Sequence, residues 1–521
     1  MKHLNDFVGQ VRTEAERYAL FCKHFLNGDH RVVPAASLQR AAKDVPKHVA
    51  LICDNQSITY GDLYGHASYV SHFLVAKGVK PGETVFILLD NSIEFFIAYY
   101  GIWQTGAVVA PLNTFLHAKE LEQILADAEP KFILTSKSFL DVLKGAAVTV
   151  LLEEDFLPKD ITKNDSEFEI IERKPEELSV LLYTSGTTGT PKGVMLSDTN
   201  IMTNVLQVIA RFGFVGEERV FGVFPLFHSF AQVTCVWATP FAQATAIIIP
   251  KIERKYIVTG LEQKPTIFLG VPALYGGLCL LRNAPVDSVE YFLCGGDALP
   301  DKIRGGFAMV YGRKIANGYG LTEASPVVAA TLQDDILPSD TAGYPLQGIT
   351  LSIRDEHGND VPHGTIGVLW VKGDNIMLGY YKAPQATEEV LKDGWLCTGD
   401  CAYLDQAGRV VITGREKDLI IHKGFNIYPQ EIENIIMTHA QVRAVAVVGV
   451  PDEDGEVPVA FVQLKKASHD IEAELKQLCE QNLGGYKVPR DIKVLDELPQ
   501  TSLGKLDKKE LRKMIHTSSD E

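Results

Sequence analysis

Tyr183, Thr184, Ser185, Gly186, Thr187, Thr188, Gly189, Thr190, Pro191, Lys192 and Gly193 follow one another directly after the apolar stretch Leu178 to Leu182. Glycines at 186, 189 and 193 let the backbone take unusual torsions and turn its N–H groups outward, and the hydroxyls and the Lys192 ammonium add donors for phosphate oxygens. That is the chemistry of a polyphosphate cradle. It is not a Walker A loop, because Lys192 precedes Gly193 rather than Ser or Thr.

A second string, Asn317, Gly318, Tyr319, Gly320, Leu321, Thr322 and Glu323, follows a strand end at Lys314 to Ala316. A carboxylate beside a hydroxyl can hold Mg²⁺ against phosphate oxygens, while Asn and Tyr suit recognition and stacking of a purine. Read alone, the same Thr and Glu make a helix cap. Gly295, Gly296 and Asp297 follow another apolar strand, with a plain turn as the competing reading. Asp400, after Trp395 to Gly399, can accept both hydroxyls of a ribose, and Arg415 offers fixed donors to sugar or phosphate.

These strings resemble the adenylate-forming superfamily of acyl-CoA synthetases, luciferases and nonribosomal adenylation domains, over most of residues 50 to 512. The resemblance implies that Thr184, Ser185, Gly186, Thr187, Thr188, Gly189 and Lys192 form the phosphate loop, with Thr184 and Glu323 as metal ligands. It implies an adenine and acyl-adenylate pocket at Gly295, Gly296, Asp297, Asn317, Gly318, Tyr319, Gly320 and Thr322. Many members carry Ala or Glu where this chain has Asp297. Asp400 and Arg415 take the ribose and phosphate roles, and Lys417 the hinge between a large and a small domain. Pro499, Thr501, Gly504 and Lys505 match the motif whose lysine enters the site for adenylation. An ammonium there can stabilise charge developing on the carboxylate and α-phosphate oxygens.

The acyl side is implied by Pro225, Leu226, Phe227 and His228, and by Gly270, Val271 and Pro272. Amino-acid-activating members usually have Asp in place of His228, which argues against an α-amino acid. Some long-chain ligases have Trp where this chain has Gln232. Lys423, Gly424 and Phe425 resemble the segment that meets the pantetheine path of CoA after the small domain turns. Ile421 stands where luciferases keep a lysine, so a light-emitting oxygenation is not expected. Thr184, Glu323, His228 and Lys505 are the expected catalytic set. The implied reaction is ATP- and Mg²⁺-dependent activation of a medium- or long-chain fatty, or related, carboxylic acid as acyl-AMP, followed by transfer to CoA. Loading of an acyl carrier protein is the alternative.

Positioning these residues needs strands that end in loops. Apolar runs at Thr84 to Leu89, Ala107 to Ala110, Leu178 to Leu182, Ala246 to Ile249, Thr266 to Leu269 and Tyr291 to Cys294 read as strands, and Ser92 to Thr105 as a helix between two of them. This α/β alternation predicts a large N-terminal domain of α/β layers with mixed, largely parallel sheets. After Arg415 the pattern changes. A helix at Pro429 to Thr438, strands at Val442 to Val450 and Pro458 to Leu464, and a helix at Asp470 to Leu483 predict a small, mobile α+β domain. The expected division is an N-terminal helical extension over 1–30, to which no chemistry is assigned, an adenylation domain over 31–416 and a lid over 417–521.

A formal net charge of −16 argues against a nucleic-acid footprint. The eight cysteines lie scattered without a CxxC pair, as reduced thiols of a cytoplasmic protein would. No apolar stretch makes a comfortable membrane span, and Val233 to Pro250 reads as core strand and helix. A homodimer stays open.

Overall fold

The protein is described from a computed structural model that covers residues 13–26, 33–157, 167–184, 191–214, 216–331, 341–423, 425–453, 455–466, 470–500 and 506–517. Among these residues three sheets form, of 14, 7 and 5 strands. The centre of the largest is parallel, with Arg219–Gly222, Ile267–Gly270, Tyr291–Cys294 and Ala316–Gly320 side by side. The short apolar runs of Ile267–Gly270 and Tyr291–Cys294 are buried, which is why they read as continuous rather than alternating. The second sheet is parallel through Thr84–Leu88, Val108–Pro111 and Phe132–Thr135, and it turns antiparallel where Leu178–Thr184 meets Lys192–Ser197. Helix Ile93–Gln104, apolar on every side, is buried along its whole length.

The expected mixture of parallel and antiparallel sheet is present, and the parallel centre of the largest sheet ends at Gly320. From there Val327–Ala330, Thr341–Pro345, Val410–Arg415, Trp395–Leu404, Gly367–Lys372 and Thr350–Arg354 add an antiparallel wing to the same sheet. For one of these pairs the cause is connection length. Trp395–Leu404 and Val410–Arg415 are joined by a turn at Asp405 to Arg409 with Gly408 at φ +80, too short to hold a crossover helix.

A smaller unit follows the short turn Glu416–Asp418, on which Lys417 is exposed. Strands Ile420–His422, Phe425–Ile427, Val442–Asp452, Gly455–Leu464 and Asp491–Leu495 form its sheet. Ile420, Ile432, Val447, Val462 and Leu475 close a core of its own under helices Pro429–Met437 and Ile471–Asn482. The two long strands run further into their acidic turn than their apolar residues alone indicate. Lys302 Nζ donates to the carbonyl of His439 at 3.2 Å, tying the large unit to the small one. No helix among the described residues is long and apolar enough to cross a membrane.

Residues 13–26 of the N-terminal segment pack against the large core. Thr13 and Glu16 cap helix Glu14–Phe21 reciprocally, and Phe21 and Phe25 are buried, Phe25 edge-on to Phe241 at 5.0 Å. Glu14 Oε2 lies 2.7 Å from Arg211 Nε, with the two side chains 18% and 3% exposed. The same guanidinium donates to the carbonyls of Ala330 at 2.6 Å and Pro345 at 2.7 Å, fastening two strands of the wing. Glu14→Gln keeps the shape and removes the charge, so a loss of about 1.5–3 kcal/mol is expected. A lower urea midpoint for the first unfolding transition checks it, and an unchanged midpoint contradicts it.

Candidate active site

The phosphate-loop residues leave and re-enter the fold as a hairpin. Tyr183 pairs with Gly193 and Thr184 with Lys192, so the ends of the loop are held side by side. Gly193 is required by crowding, since a Cβ there would sit 2.9 Å from Leu181 Cδ1 and 3.2 Å from both Tyr183 Cζ and Tyr381 Cβ. Tyr183 is fixed from outside by donating its hydroxyl to Asp127 Oδ2 at 2.5 Å. Ser185, Gly186, Thr187, Thr188 and Gly189, expected in the cradle, lie outside the described residues, as do Gly424 and Lys505. Gln500 and Leu506, on either side of the Lys505 segment, face each other in an antiparallel bridge.

Lys192 Nζ stands 5.0 Å above the ring of Tyr380, and the Tyr380 hydroxyl donates to Glu323 Oε1 at 2.9 Å. The loop base and the second string are thereby brought together through a residue that neither contains. Nothing in the local sequence marks Tyr380 for this. It is presented because Gly379 and Tyr380 pair with Met195 and Val194, next to the hairpin.

Asn317 to Glu323 run out of the parallel centre of the large sheet and into a short turn, Thr322–Ala324. Gly320 admits no side chain, because a Cβ would collide with the Pro326 carbonyl. Asn317 donates its amide to the Thr341 carbonyl at 3.1 Å, which gives that side chain a bracing contact in addition to the purine role expected of it. Tyr319 donates its hydroxyl to Asp400 Oδ2 at 2.5 Å, while Arg415 Nε lies 2.7 Å from Asp400 Oδ1. Asp400 and Arg415 are direct partners in the register of their two strands. Burial, and then the neighbouring carboxylate, push the Tyr319 phenol well above its ordinary range, so it stays a donor.

The acyl-side residues converge on the same place. Gly295 N donates to the Gly270 carbonyl at 3.1 Å, and the Phe230 ring lies 3.3 Å from where a Gly295 Cβ would be. His228 Nδ1 accepts the Phe230 N–H at 3.2 Å. Ser229 Oγ is 3.1 Å from Thr322 Oγ1, joining this turn to the Glu323 turn. Val271 and Pro272 start helix Pro272–Leu281 beside it. Gly296 takes φ +84, and the exposed Asp297 accepts the N–H of Ala298 at 2.8 Å, the contact of a turn. Gln232 is buried, donating to the Phe227 carbonyl at 3.1 Å and accepting from Tyr99 at 2.9 Å, so it is a fixed strut in the wall.

On the small unit, Lys423 adopts a left-handed φ of +51, and Phe425 faces Tyr486 with ring centroids 5.0 Å apart. Both rings are solvent-exposed. Lys417 has its ammonium drawn below the ordinary lysine value by partial burial, with Arg415 and Arg512 adding to the shift against the opposing pull of Asp418.

The family model described as AMP-binding enzyme matches residues 38–381, and that of the AMP-binding enzyme C-terminal domain matches 431–505. The chain belongs to the AMP-binding enzyme family. It lies on the acyl-CoA synthetase branch of that family, whose members use ATP, Mg²⁺ and CoA. A long-chain-fatty-acid–CoA ligase of Bacillus subtilis is 32% identical over 91% of this chain and 93% of its own. A feruloyl-CoA synthase of Amycolatopsis is 32% identical over 91% of this chain and 97% of its own. ATP-bound MatB from Rhodopseudomonas palustris superposes with TM-score 0.85 at 30% identity, covering 92% of this chain and 98% of that one. The apo form of the same protein reaches 0.76.

The residues fit a metal that arrives with its nucleotide. Among the described residues no group of three or more His, Cys, Asp or Glu is placed to hold an ion. Mg²⁺ is commonly held by one or two carboxylates plus substrate phosphates, and Glu323 offers one carboxylate, bonded to the Tyr380 hydroxyl whose ring lies under Lys192 at the end of the phosphate loop.

Proposed function

We propose that this AMP-binding enzyme activates a medium- or long-chain fatty acid, or a related apolar carboxylic acid, as its acyl adenylate, and then transfers the acyl group to CoA. The carrying observation is the wall beside the Thr322–Glu323 turn. Phe224 lies 4.8 Å from Phe230 and 6.3 Å from His228, centroid to centroid, and His228 stands where amino-acid-activating members usually carry the Asp that receives a substrate ammonium. An apolar acid has a surface to bury there, and an α-amino acid has no counter-charge.

In this reading the loop from Thr184 to Lys192 holds the phosphates. Thr184 and Glu323 hold Mg²⁺, which when bound neutralises phosphate charge. Asp400 and Arg415 fix the ribose, with Tyr319 locking Asp400 in place. Gly295, Gly296, Asn317, Gly318 and Gly320 leave a slot for the adenine, and His228 with Gly270, Val271 and Pro272 bounds the acid. Lys505 steadies the carboxylate and the α-phosphate as they meet, pyrophosphate leaves, and the small unit turns about Lys417 to bring Lys423, Gly424 and Phe425 toward the thiol path.

The relatives' names divide between aliphatic and aromatic acids at equal identity, so the substrate must be measured. AMP formation with CoA present should be followed over acids from acetate to oleate, with ferulate and an α-amino acid included. Each buried methylene is worth about 0.8 kcal/mol, so kcat/KM is expected to climb roughly fourfold per carbon until the chamber is filled. A maximum at acetate or at the amino acid contradicts the reading. Replacing CoA by a holo carrier protein in the same assay is expected to abolish acyl transfer, and the reverse preference would move the enzyme to the carrier-loading branch.

A further inference from the structure

Glu323 is held on three sides by one short segment. Asn375, fully buried, donates its Nδ2 to the Ala324 carbonyl at 2.7 Å. Met377 N donates to the Glu323 carbonyl at 2.9 Å, and the Tyr380 hydroxyl donates to Glu323 Oε1 at 2.9 Å. The backbone on both sides of the turn and one carboxylate oxygen are therefore fixed before any ligand arrives. Glu323 Oε2 has no hydrogen-bond partner among the described residues.

We propose that Tyr380 is a positioning residue that makes Glu323 a one-oxygen metal ligand, by occupying Oε1 and leaving Oε2 for the ion. This rests on the assignment of Glu323 to the metal made above. A carboxylate free to rotate can chelate an ion with both oxygens, which suits the larger, flexible shell of Ca²⁺. Mg²⁺ demands near-octahedral geometry with short, well-separated ligands, which a single fixed oxygen supplies. Partners that orient a ligating group typically change metal affinity by 10- to 100-fold when removed.

The same tyrosine faces the loop. Lys192 lies over its ring at 5.0 Å and makes no ion pair among the described residues. Its ammonium is parked on an aromatic face, from which a phosphate can draw it at little cost.

The test uses the full-length enzyme with a non-hydrolysable ATP analogue and no acid, so that nothing turns over. Mn²⁺ serves as the metal probe, with its free concentration read by electron paramagnetic resonance. Tyr380→Phe keeps the ring under Lys192 and removes only the hydroxyl. The expected result is Mn²⁺ affinity in the nucleotide complex lowered roughly tenfold, Ca²⁺ competing better against it, and nucleotide affinity without metal unchanged. The melting temperature of the ligand-free variant should stay near wild type, which a purely structural role for the hydroxyl would not allow. If Tyr380→Phe binds Mn²⁺ like wild type while Glu323→Gln loses it, the positioning role is overturned and the metal assignment stands. If Glu323→Gln also binds normally, the metal assignment itself fails and the positioning role with it.

Discussion

Lys505→Ala is expected to slow acid-dependent pyrophosphate release by roughly a hundred- to a thousandfold, the usual cost of about 3–4 kcal/mol for removing one donor aimed at transition-state charge. Thioester formation from supplied acyl adenylate should be nearly unaffected, because the α-phosphate charge has by then been formed and settled. The motif around Lys505 supplies the expectation, and the fold supplies the tether. Gln500 and Leu506 are bridged, Asp507 N donates to the Pro499 carbonyl at 2.8 Å, and Leu498 and Leu511 are buried in one cluster of the small unit. In the proposed mechanism these anchored flanks carry Lys505 with the small unit as it turns. Single-turnover measurements of the two half-reactions check the division, and equal loss in both rejects it.

Asp400→Ala is expected to raise the KM for ATP by roughly ten- to a hundredfold, because a hydrogen bond to a charged acceptor is worth about 1.5–3 kcal/mol. The carboxylate is buried and does three things at once in this reading. It accepts the ribose, anchors Tyr319 and pairs with Arg415. Much of the Arg415 pair is open to water, with the arginine side chain 48% exposed, so its screened Coulomb energy adds little to stability. Tyr319→Phe separates the functions by removing one anchor while leaving the ribose acceptor, and about a fivefold rise in KM, near 1 kcal/mol, is expected. Calorimetric titration with AMP gives the same comparison without turnover. An Asp400→Ala enzyme with wild-type AMP affinity would remove the ribose role.

The motifs could be found because their residue types are unusual where they stand. A Gly- and Thr-rich string after an apolar strand has few structural uses, and Asn317 to Glu323 pairs a carboxylate with a hydroxyl at a strand end. The parallel strands were readable for a related reason, since burial on both faces demands an unbroken apolar run. Relations across the chain were not readable in the same way. Asp400 and Arg415 are each suggestive alone, but their direct pairing depends on how tightly the chain turns between Asp405 and Arg409. Tyr380 lies 57 residues beyond Glu323 in a segment of ordinary composition, and only the pairing of Gly379 and Tyr380 with Met195 and Val194 brings it to the site. The N-terminal segment carried no motif because its contribution is packing. Phe21, Phe25 and the Glu14 contact to Arg211 have meaning only against residues some 200 positions away.

Asn317 and Gln232 show the limit from the other side. Each is a polar side chain in a suggestive place, and each is bonded to a backbone carbonyl of the scaffold. Their neighbours in sequence do not reveal this, since the Asn317 acceptor at Thr341 arrives from another strand.

Transfer of oxygen from the acid to the nucleotide tests the central claim most directly. The enzyme is incubated with ATP, Mg²⁺, CoA and a fatty acid labelled with ¹⁸O in both carboxylate positions, and the products are read by mass spectrometry. Attack of the carboxylate on the α-phosphate, followed by thiol attack on the carbonyl, leaves one ¹⁸O in AMP, none in pyrophosphate, and the acyl group on CoA as a thioester. Appearance of ADP with labelled phosphate, or of unlabelled AMP alongside the thioester, would contradict it.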